Sequence, residues 1–365
     1  MMEETTQNNK KIRIGIVGCG RAAQHYYFPA CKRIDEVRVT SAVDVLLSQA
    51  KAVAAEYGVP HFTDKYEELF DDRVDAVILV IPHYLHAKVA IDFLERGISV
   101  LCEKPMATTY EDALRMVEAS NRGRATLAVS LMRRYYPGSR VARDLIANGF
   151  LGAIRKVDAE DGFIPSRPPS AQWLCDKTKA GGGVLISDGI HVLDLALWIL
   201  GGDRVHPKVR HYEDDGFSGV EANSYLDLDL DDGESEVFPA RFRFSVVSRL
   251  RNTIVVTGTK GRLELPIQRA NHVMATLFDS KGLALGGAMK LTQEDTDGRP
   301  LGEVDYFAAQ LASFIADVRK GRVGFSSGQS HLEAMRVIDE CYSMGNPRLQ
   351  PWEAFFDLRL PKQGQ

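Results

Sequence analysis

Residues 12–23, Ile12-Arg13-Ile14-Gly15-Ile16-Val17-Gly18-Cys19-Gly20-Arg21-Ala22-Ala23, decide how the rest of the chain is read. A short apolar run ends in glycine, and a helix-like stretch follows to about Ile34. The turn fits G-x-G-x-x-A: Gly18 permits the tight bend, Gly20 lets a pyrophosphate approach the backbone, and Ala23 keeps the helix close to the sheet. Free N–H groups and positive dipole potential at the helix start, around Arg21 and Ala22, would face the phosphates. The same pattern occurs in ordinary glycine turns. Asp44, closing a β-branched stretch at residues 37–44, favours the dinucleotide reading, because a carboxylate there accepts hydrogen bonds from the adenosine ribose. It also repels a 2′-phosphate, and no cation follows in Val45-Leu46-Leu47-Ser48. The expected cofactor is NAD(H) in preference to NADP(H).

Working outward, strand and helix patterns alternate through the first 130 or so residues. Residues 46–57 are Ala-rich and helical, 74–81 (VDAVILVI) read as a strand buried on both faces, and 83–96 read as a helix. Residues 98–102 and 125–131 read as strands and 109–121 as a helix. Alternation at this spacing predicts a parallel, doubly wound α/β sheet. Beyond Arg133 the texture changes. A helix over 138–148 precedes a Pro/Gly-rich loop over 164–183 and a strongly apolar helix over 184–200. Consecutive strand-like runs follow at 222–230, 236–247, 253–257, 262–265 and 273–278, which predict a mostly antiparallel sheet. Residues 281–300 read as a mobile loop, and helices over 306–320 and 331–344 finish the chain. The expected division is a flexible tail (1–10), a doubly wound dinucleotide-binding domain (11–132) and an α+β domain (133–365).

At 365 residues the chain has room for about two domains of about 150 residues each. Hydrophobic residues at 45% and charged residues at 26% exclude wholesale disorder. A formal charge of −4 gives no footprint for nucleic acid or anionic membranes, so neither is an expected partner. The start, MMEETTQNNK, lacks the apolar core of a signal peptide or anchor, and residues 74–82 fall far short of the roughly 20 needed to span a bilayer. Cys19, Cys31, Cys102, Cys175 and Cys341 are scattered without a C-x-x-C pair, which reads as reduced, buried thiols in a cytoplasmic protein.

Three further segments accompany the glycine turn: Pro82-His83-Tyr84-Leu85-His86, Glu103-Lys104-Pro105, and Gly181-Gly182-Gly183 followed by Gly189-Ile190-His191-Val192-Leu193-Asp194. Together they resemble the glucose–fructose oxidoreductase/inositol dehydrogenase (Gfo/Idh/MocA) family over nearly the whole chain. The resemblance implies an N-terminal Rossmann domain, a C-terminal open sheet, and NAD(P)-dependent oxidation or reduction of a sugar, cyclitol or related polyol. It also implies homo-dimers or homo-tetramers formed through that sheet.

The residues read in their own right agree. Ligands of open α/β sheets bind outside the carboxyl ends of the strands, where Glu103 and Lys104 lie. A lysine there can hydrogen-bond a substrate hydroxyl and exchange its proton, although most strand-end lysines are simply solvated. On the apolar helix, at about 100° per residue, Asp188 and Asp194 flank His191, each about 60° away on one face. A self-satisfied core histidine is the bland alternative; the family match makes His191 catalytic with Lys104. The family usually carries aspartate four residues before this histidine, where this chain has Ser187, so Asp188 is the candidate carboxylate. A second departure is His83, where the family commonly has asparagine, preceded by Ile81 in place of threonine. Pro82 and His83 are expected to border the nicotinamide ribose with His86 packed nearby, and no metal is expected because His83 and His86 lack a third ligand. Arg134, beside Arg133 at the domain junction, and Trp173, Lys179 and Ser187 are the substrate-side candidates.

The resulting reading is an NAD(H)-dependent oxidoreductase in which Lys104, and His191 with Asp188, take the hydroxyl proton as hydride leaves for nicotinamide C4. Two alternatives stay open. One is a redox-neutral hydrolase, lyase or epimerase that retains NAD, and the other is a non-catalytic dinucleotide-sensing protein.

Overall fold

The computed structural model describes residues 10–345, apart from 167–170, 217–218, 234–235, 269–271, 279–283, 291–300, 322–323 and 325. The expected flexible tail therefore lies outside the described residues except for Lys10, as do parts of the expected loops.

Six parallel strands form the first sheet: β1 (Ile12–Val17), β2 (Val37–Val43), β3 (His61–Thr63), β4 (Ala76–Leu79), β5 (Ser99–Cys102) and β6 (Leu127–Val129), in the order β3-β2-β1-β4-β5-β6. Every residue of β4, β5 and β6 is buried, as strands sandwiched between helix layers require. The strand order reverses between β1 and β4. The crevice at that reversal is where ligands of such sheets bind, and the glycine turn and the segment at residues 80–82 both open onto it. Strand β3 escaped the sequence reading because three residues carry no period.

The second sheet has eight strands: β7 (Ile154–Gly162), β8 (His206–Asp214), β9 (Asn223–Asp231), β10 (Phe238–Ser245), β11 (Thr253–Gly258), β12 (Gly261–Pro266), β13 (His272–Phe278) and β14 (Ala284–Lys290). Their order is β14-β13-β12-β11-β7-β10-β9-β8, and every neighbouring pair is antiparallel except β7 with β10. Strands β7 and β8 were not recognised in the sequence. The loop expected over 281–300 is corrected over part of its length: residues 284–290 are β14, paired with β13 from His272↔Lys290 to Phe278↔Ala284. Its Gly286-Gly287 pair has weak strand propensity, so the partner strand supplies the order. The remaining residues of that stretch lie outside the described set.

One face of this sheet is apolar, with Leu226, Leu228, Phe242, Phe244, Ile254, Val256 and Leu263 buried. It belongs to the same core as helix Ile190–Leu200, which is buried along almost its whole length. The opposite face carries cross-strand ion pairs such as Arg243–Glu160 at 3.1 Å. The helical stretch Lys177–Leu200 is long and apolar enough to cross a membrane, but 83% of its most apolar window is buried inside the fold, as in a core helix.

The core does not divide at residue 132. Helix Glu303–Lys320 returns to the first sheet, where Phe307, Leu311, Phe314 and Ile315 share a cluster with Ile14, Ile16, Tyr27 and Phe28. The Val129 N–H donates to the Ser326 carbonyl at 2.8 Å, so the chain beyond that helix also docks on the edge of β6. The expectation of five buried thiols needs one correction. Cys19, Cys31, Cys102 and Cys341 are buried, whereas Cys175 is exposed at the end of a short surface turn, Gln172–Cys175.

Candidate active site

The glycine turn has the shape that its residue types suggest. Gly18 sits at φ +97°, and a Cβ there would lie 2.1 Å from the Val80 carbonyl oxygen, so no side chain fits. A Cβ on Gly20 would meet nothing within 4 Å, which leaves open space in front of the helix that starts at Arg21. Ala23 is fully buried against the sheet. The Asp44 carboxylate accepts from the Cys19 and Leu46 amides, both at 2.9 Å, and is thereby held at the mouth of the turn. Open space above exposed first-turn amides, with a fixed carboxylate beside it, fits the pyrophosphate and ribose of a dinucleotide.

From there a cleft of about 660 Å³ runs between the two sheets, lined by Ala22, Glu103, Lys104 and His191 among others. Two wide π turns border it. The first, Ala23–Tyr27, brings the Tyr27 hydroxyl to Glu103 Oε1 at 2.5 Å, and Tyr27 also meets Ser130 Oγ at 2.6 Å. The second, Leu185–Gly189, presents the Ser187 carbonyl, which accepts from Lys104 Nζ at 2.5 Å. Glu103 Oε2 accepts the Lys104 amide at 2.9 Å, so both residues of this pair are held from two directions. Such turns recur at functional sites because they splay backbone groups that a regular helix would consume.

His191 is half-buried on the cleft wall and, among the described residues, makes no hydrogen bond. Burial first, and then the charges of Lys104, Arg133 and His331, push it well below the ordinary imidazole range. It is therefore a neutral ring near pH 7, with one nitrogen to donate and one to accept a hydrogen bond.

The expected carboxylate neighbours behave differently. Asp188 accepts from Ser187 Oγ at 2.8 Å and does not bond His191; the π turn adds a residue to this stretch and breaks the 100° step on which that pairing rested. Asp194 faces inward. It forms a two-pronged pair with Arg134, at 2.8 and 2.5 Å, and accepts from His331 Nδ1 at 2.8 Å. Burial pushes Asp194 up, but Arg134 and His331 outweigh it and hold the carboxyl below its usual range.

Other candidates are relocated in the same way. Arg134 is only 1% exposed, so it is a core residue and not a substrate contact. Its neighbour Arg133 lines the cleft and pairs with buried Asp161 at 3.1 Å. Lys179 is exposed and pairs with Asp176 at 3.2 Å, away from the cleft lining. His83 bonds the Ala180 carbonyl at 3.0 Å and packs edge-on against Trp173, with centroids 4.7 Å apart, so these two tie the loop before Gly181 to the Rossmann half. Burial, with the nearby charges of His86 and Lys104, depresses His83 to about 3. Both His86 nitrogens meet backbone carbonyls, of Pro105 and Ile81, at 2.8 Å.

The sequence reading missed Tyr26, Gln268, Glu303 and Phe307 on the cleft wall. Tyr136, also on that wall, stood beside the flagged Arg133-Arg134 pair. Glu303 and Phe307 come from a helix 170 or so residues later, and nothing local marks them. Tyr26 and Phe307 stack at 4.6 Å, which joins the two helices under the cleft.

Comparison with known proteins agrees with this fold. Residues 12–131 match the model of the oxidoreductase family with an NAD-binding Rossmann fold, and residues 139–264 match the GFO/IDH/MocA C-terminal domain. The chain belongs to the Gfo/Idh/MocA family. One relative in the family, trans-1,2-dihydrobenzene-1,2-diol dehydrogenase of Sus scrofa, is 30% identical over 263 residues, which is 70% of this chain and 74% of that protein. Inositol 2-dehydrogenase 2 of Saccharopolyspora erythraea is 31% identical over 199 residues, which is 53% of this chain and 55% of the other. The fold is shared with the crystal structure of aldose–aldose oxidoreductase from Caulobacter crescentus in complex with glycerol. That match has a TM-score of 0.76 at 24% identity and covers 92% of this chain and 97% of the other.

Proposed function

We propose that the chain is an NAD(H)-dependent oxidoreductase acting on a secondary alcohol or ketone of a sugar, cyclitol or related polyol. The observation that carries this reading is the convergence of the Lys104 amine and the His191 ring on one cleft continuous with the glycine turn. The nicotinamide supplies hydride acceptance and delivery. The remaining work falls to the chain. Gly18, Gly20, Arg21, Ala22 and Ala23 hold the diphosphate, Asp44 holds the ribose and disfavours a 2′-phosphate, and Glu103 borders the nicotinamide end. Lys104 Nζ turns from the Ser187 carbonyl to the substrate oxygen: as the neutral amine it accepts the hydroxyl hydrogen and takes up that proton during oxidation, and as the ammonium it donates to the carbonyl oxygen and returns the proton during reduction. Neutral His191 bonds the same or the adjacent oxygen, and Arg133, Tyr136 and Glu303 meet the remaining hydroxyls and C–H faces.

We assign Asp188 to orienting Ser187 and not to proton abstraction, because its bond runs to that side chain. A dimer or tetramer formed through the eight-stranded sheet and a cytoplasmic location complete the proposal, with residues 11–132 and 133–365 as its domains and helix Glu303–Lys320 reaching back across the boundary. The test is a panel of sugars, inositols and their keto derivatives, assayed with NAD⁺ and NADH at the nicotinamide absorbance band, with light scattering for the assembly. At least one polyol should turn over with net NADH change. Cofactor that co-purifies, with product formed and no net absorbance change, would establish the redox-neutral alternative instead.

A further inference from the structure

The helix that holds Lys104 has an unusual foundation. Glu221, only 2% exposed, precedes β9 and lies outside the cleft. Its carboxylate accepts the Gly183 amide through Oε2 at 2.7 Å and the Leu185 amide through Oε1 at 3.0 Å. Its backbone carbonyl accepts the amide between them, from Val184, at 2.8 Å. The Tyr342 hydroxyl, from helix Leu332–Met344, donates to Oε1 at 2.7 Å. One residue thus collects three consecutive N–H groups that a helix start otherwise leaves unsatisfied, and its carboxylate faces the positive end of the dipole.

This arrangement explains two glycines of the triplet. A Cβ on Gly182 would lie 2.1 Å from Tyr342 Oη, and one on Gly183 would lie 2.0 Å from the Glu221 carbonyl oxygen. Both glycines are required so that the clamp can close on the backbone.

We propose that Glu221 and Tyr342 are positioning residues for Lys104, acting by anchoring the turn from Gly183 to Ser187 that presents the lysine's acceptor. Three hydrogen bonds tie the clamp to the lysine across this turn. Glu221 Oε2 takes the Gly183 N–H, the Gly183 carbonyl takes the Ser187 N–H at 3.0 Å, and the Ser187 carbonyl takes Lys104 Nζ at 2.5 Å. By fixing the Gly183 and Leu185 amides, the clamp fixes where this turn places the Ser187 carbonyl, and so where the lysine amine is held. The inference rests on the role proposed above for Lys104, but the clamp can be read without substrate.

The experiment is competitive acetylation of the full-length protein with acetic anhydride, with and without NAD⁺, followed by mass spectrometry of each lysine peptide. Hydrogen exchange over residues 183–187 is measured in parallel. Glu221→Gln keeps one acceptor oxygen but turns an NH₂ toward amide donors. It should raise Lys104 labelling several-fold while other lysines stay within about twofold, and protection at 183–187 should fall about tenfold. Tyr342→Phe keeps the carboxylate and its amide bonds, so it should move the same two readouts in the same direction by less, and it carries the test should Glu221→Gln fail to fold. Unchanged Lys104 labelling in a folded variant overturns the proposal, as does an equal rise at every lysine. Once a turnover substrate is identified, both variants should lower kcat with little change in the KM for NAD⁺. A wild-type protein inactive on every polyol would count against the proposed activity but would not alter the labelling result.

Discussion

Helix Ile190–Leu200 carries two ionisable residues one turn apart, and the fold treats them in opposite ways. His191 lines the cleft beside Lys104 and, among the described residues, has no hydrogen-bond partner. Asp194 points inward, where Arg134 and His331 saturate it. The same split separates two consecutive arginines: Arg133 lines the cleft and Arg134 is a core residue. Groups whose hydrogen bonds are left open can meet a substrate, whereas groups whose bonds are closed inside the protein contribute stability. What differs is how far protein partners close them off: Arg133 keeps one, Asp161, and still lines the cleft, whereas Arg134 is buried against Asp194 and Ser330.

The comparison can be broken from either side. The largest effect belongs to the cleft. Lys104→Ala should lower kcat by about 10²–10⁴-fold while NAD⁺ affinity, read by fluorescence titration, and the melting temperature stay near wild type. Near-normal kcat would remove Lys104 from the chemistry. The interior cluster should show the reverse pattern. Arg134→Leu leaves Asp194 buried with half its partners and should destabilise the protein by about 3–5 kcal/mol in urea titrations. A fully stable Arg134→Leu variant would place that arginine outside the load of the core.

The pH response separates the two groups further. Because its partners hold Asp194 below the ordinary carboxylate range, its stabilisation is fully present above the unfolded value near about 4 and is lost as pH falls through the lower folded value. The urea midpoint of the wild type should therefore approach that of Asp194→Asn as pH drops from about 5 toward about 2, with no such convergence for His191→Asn. His191→Asn should lower kcat by about tenfold or more without moving the melting temperature beyond a few degrees. The smallest effect is at the cofactor end. Asp44→Ala should narrow the preference for NAD⁺ over NADP⁺ by roughly tenfold, read as the ratio of the two Kd values; a ratio that does not move would show that Asp44 acts only on the Cys19 and Leu46 amides.

Much of this was legible beforehand because the first half of the chain writes its structure locally. Ile12–Val17, the bend at Gly18 and the carboxylate at Asp44 follow one another within a single strand–helix–strand unit, so spacing alone places them at one crevice. The second half is less local. Strand β8 reads poorly because charged residues occupy its outer face, and β14 is ordered by its partner. The helical-wheel reading of residues 187–194 failed at the π turn Leu185–Gly189, since a sequence pattern carries no sign of one extra residue in a turn.

The amino-acid order by itself determined the fold class, the glycine cradle, and the placing of a lysine at a strand end and a histidine on the apolar helix, because each depends on neighbouring residues and on backbone sterics. Tertiary structure decided which groups face the cleft: Arg133 over Arg134, His191 over Asp194, and the Ser187 carbonyl over its side chain as the lysine's anchor. It also brought Glu303, Phe307 and Tyr342 to places no local pattern announces. The physical reason is that hydrogen-bond saturation is a property of the three-dimensional neighbourhood, set by segments more than a hundred residues apart in the chain.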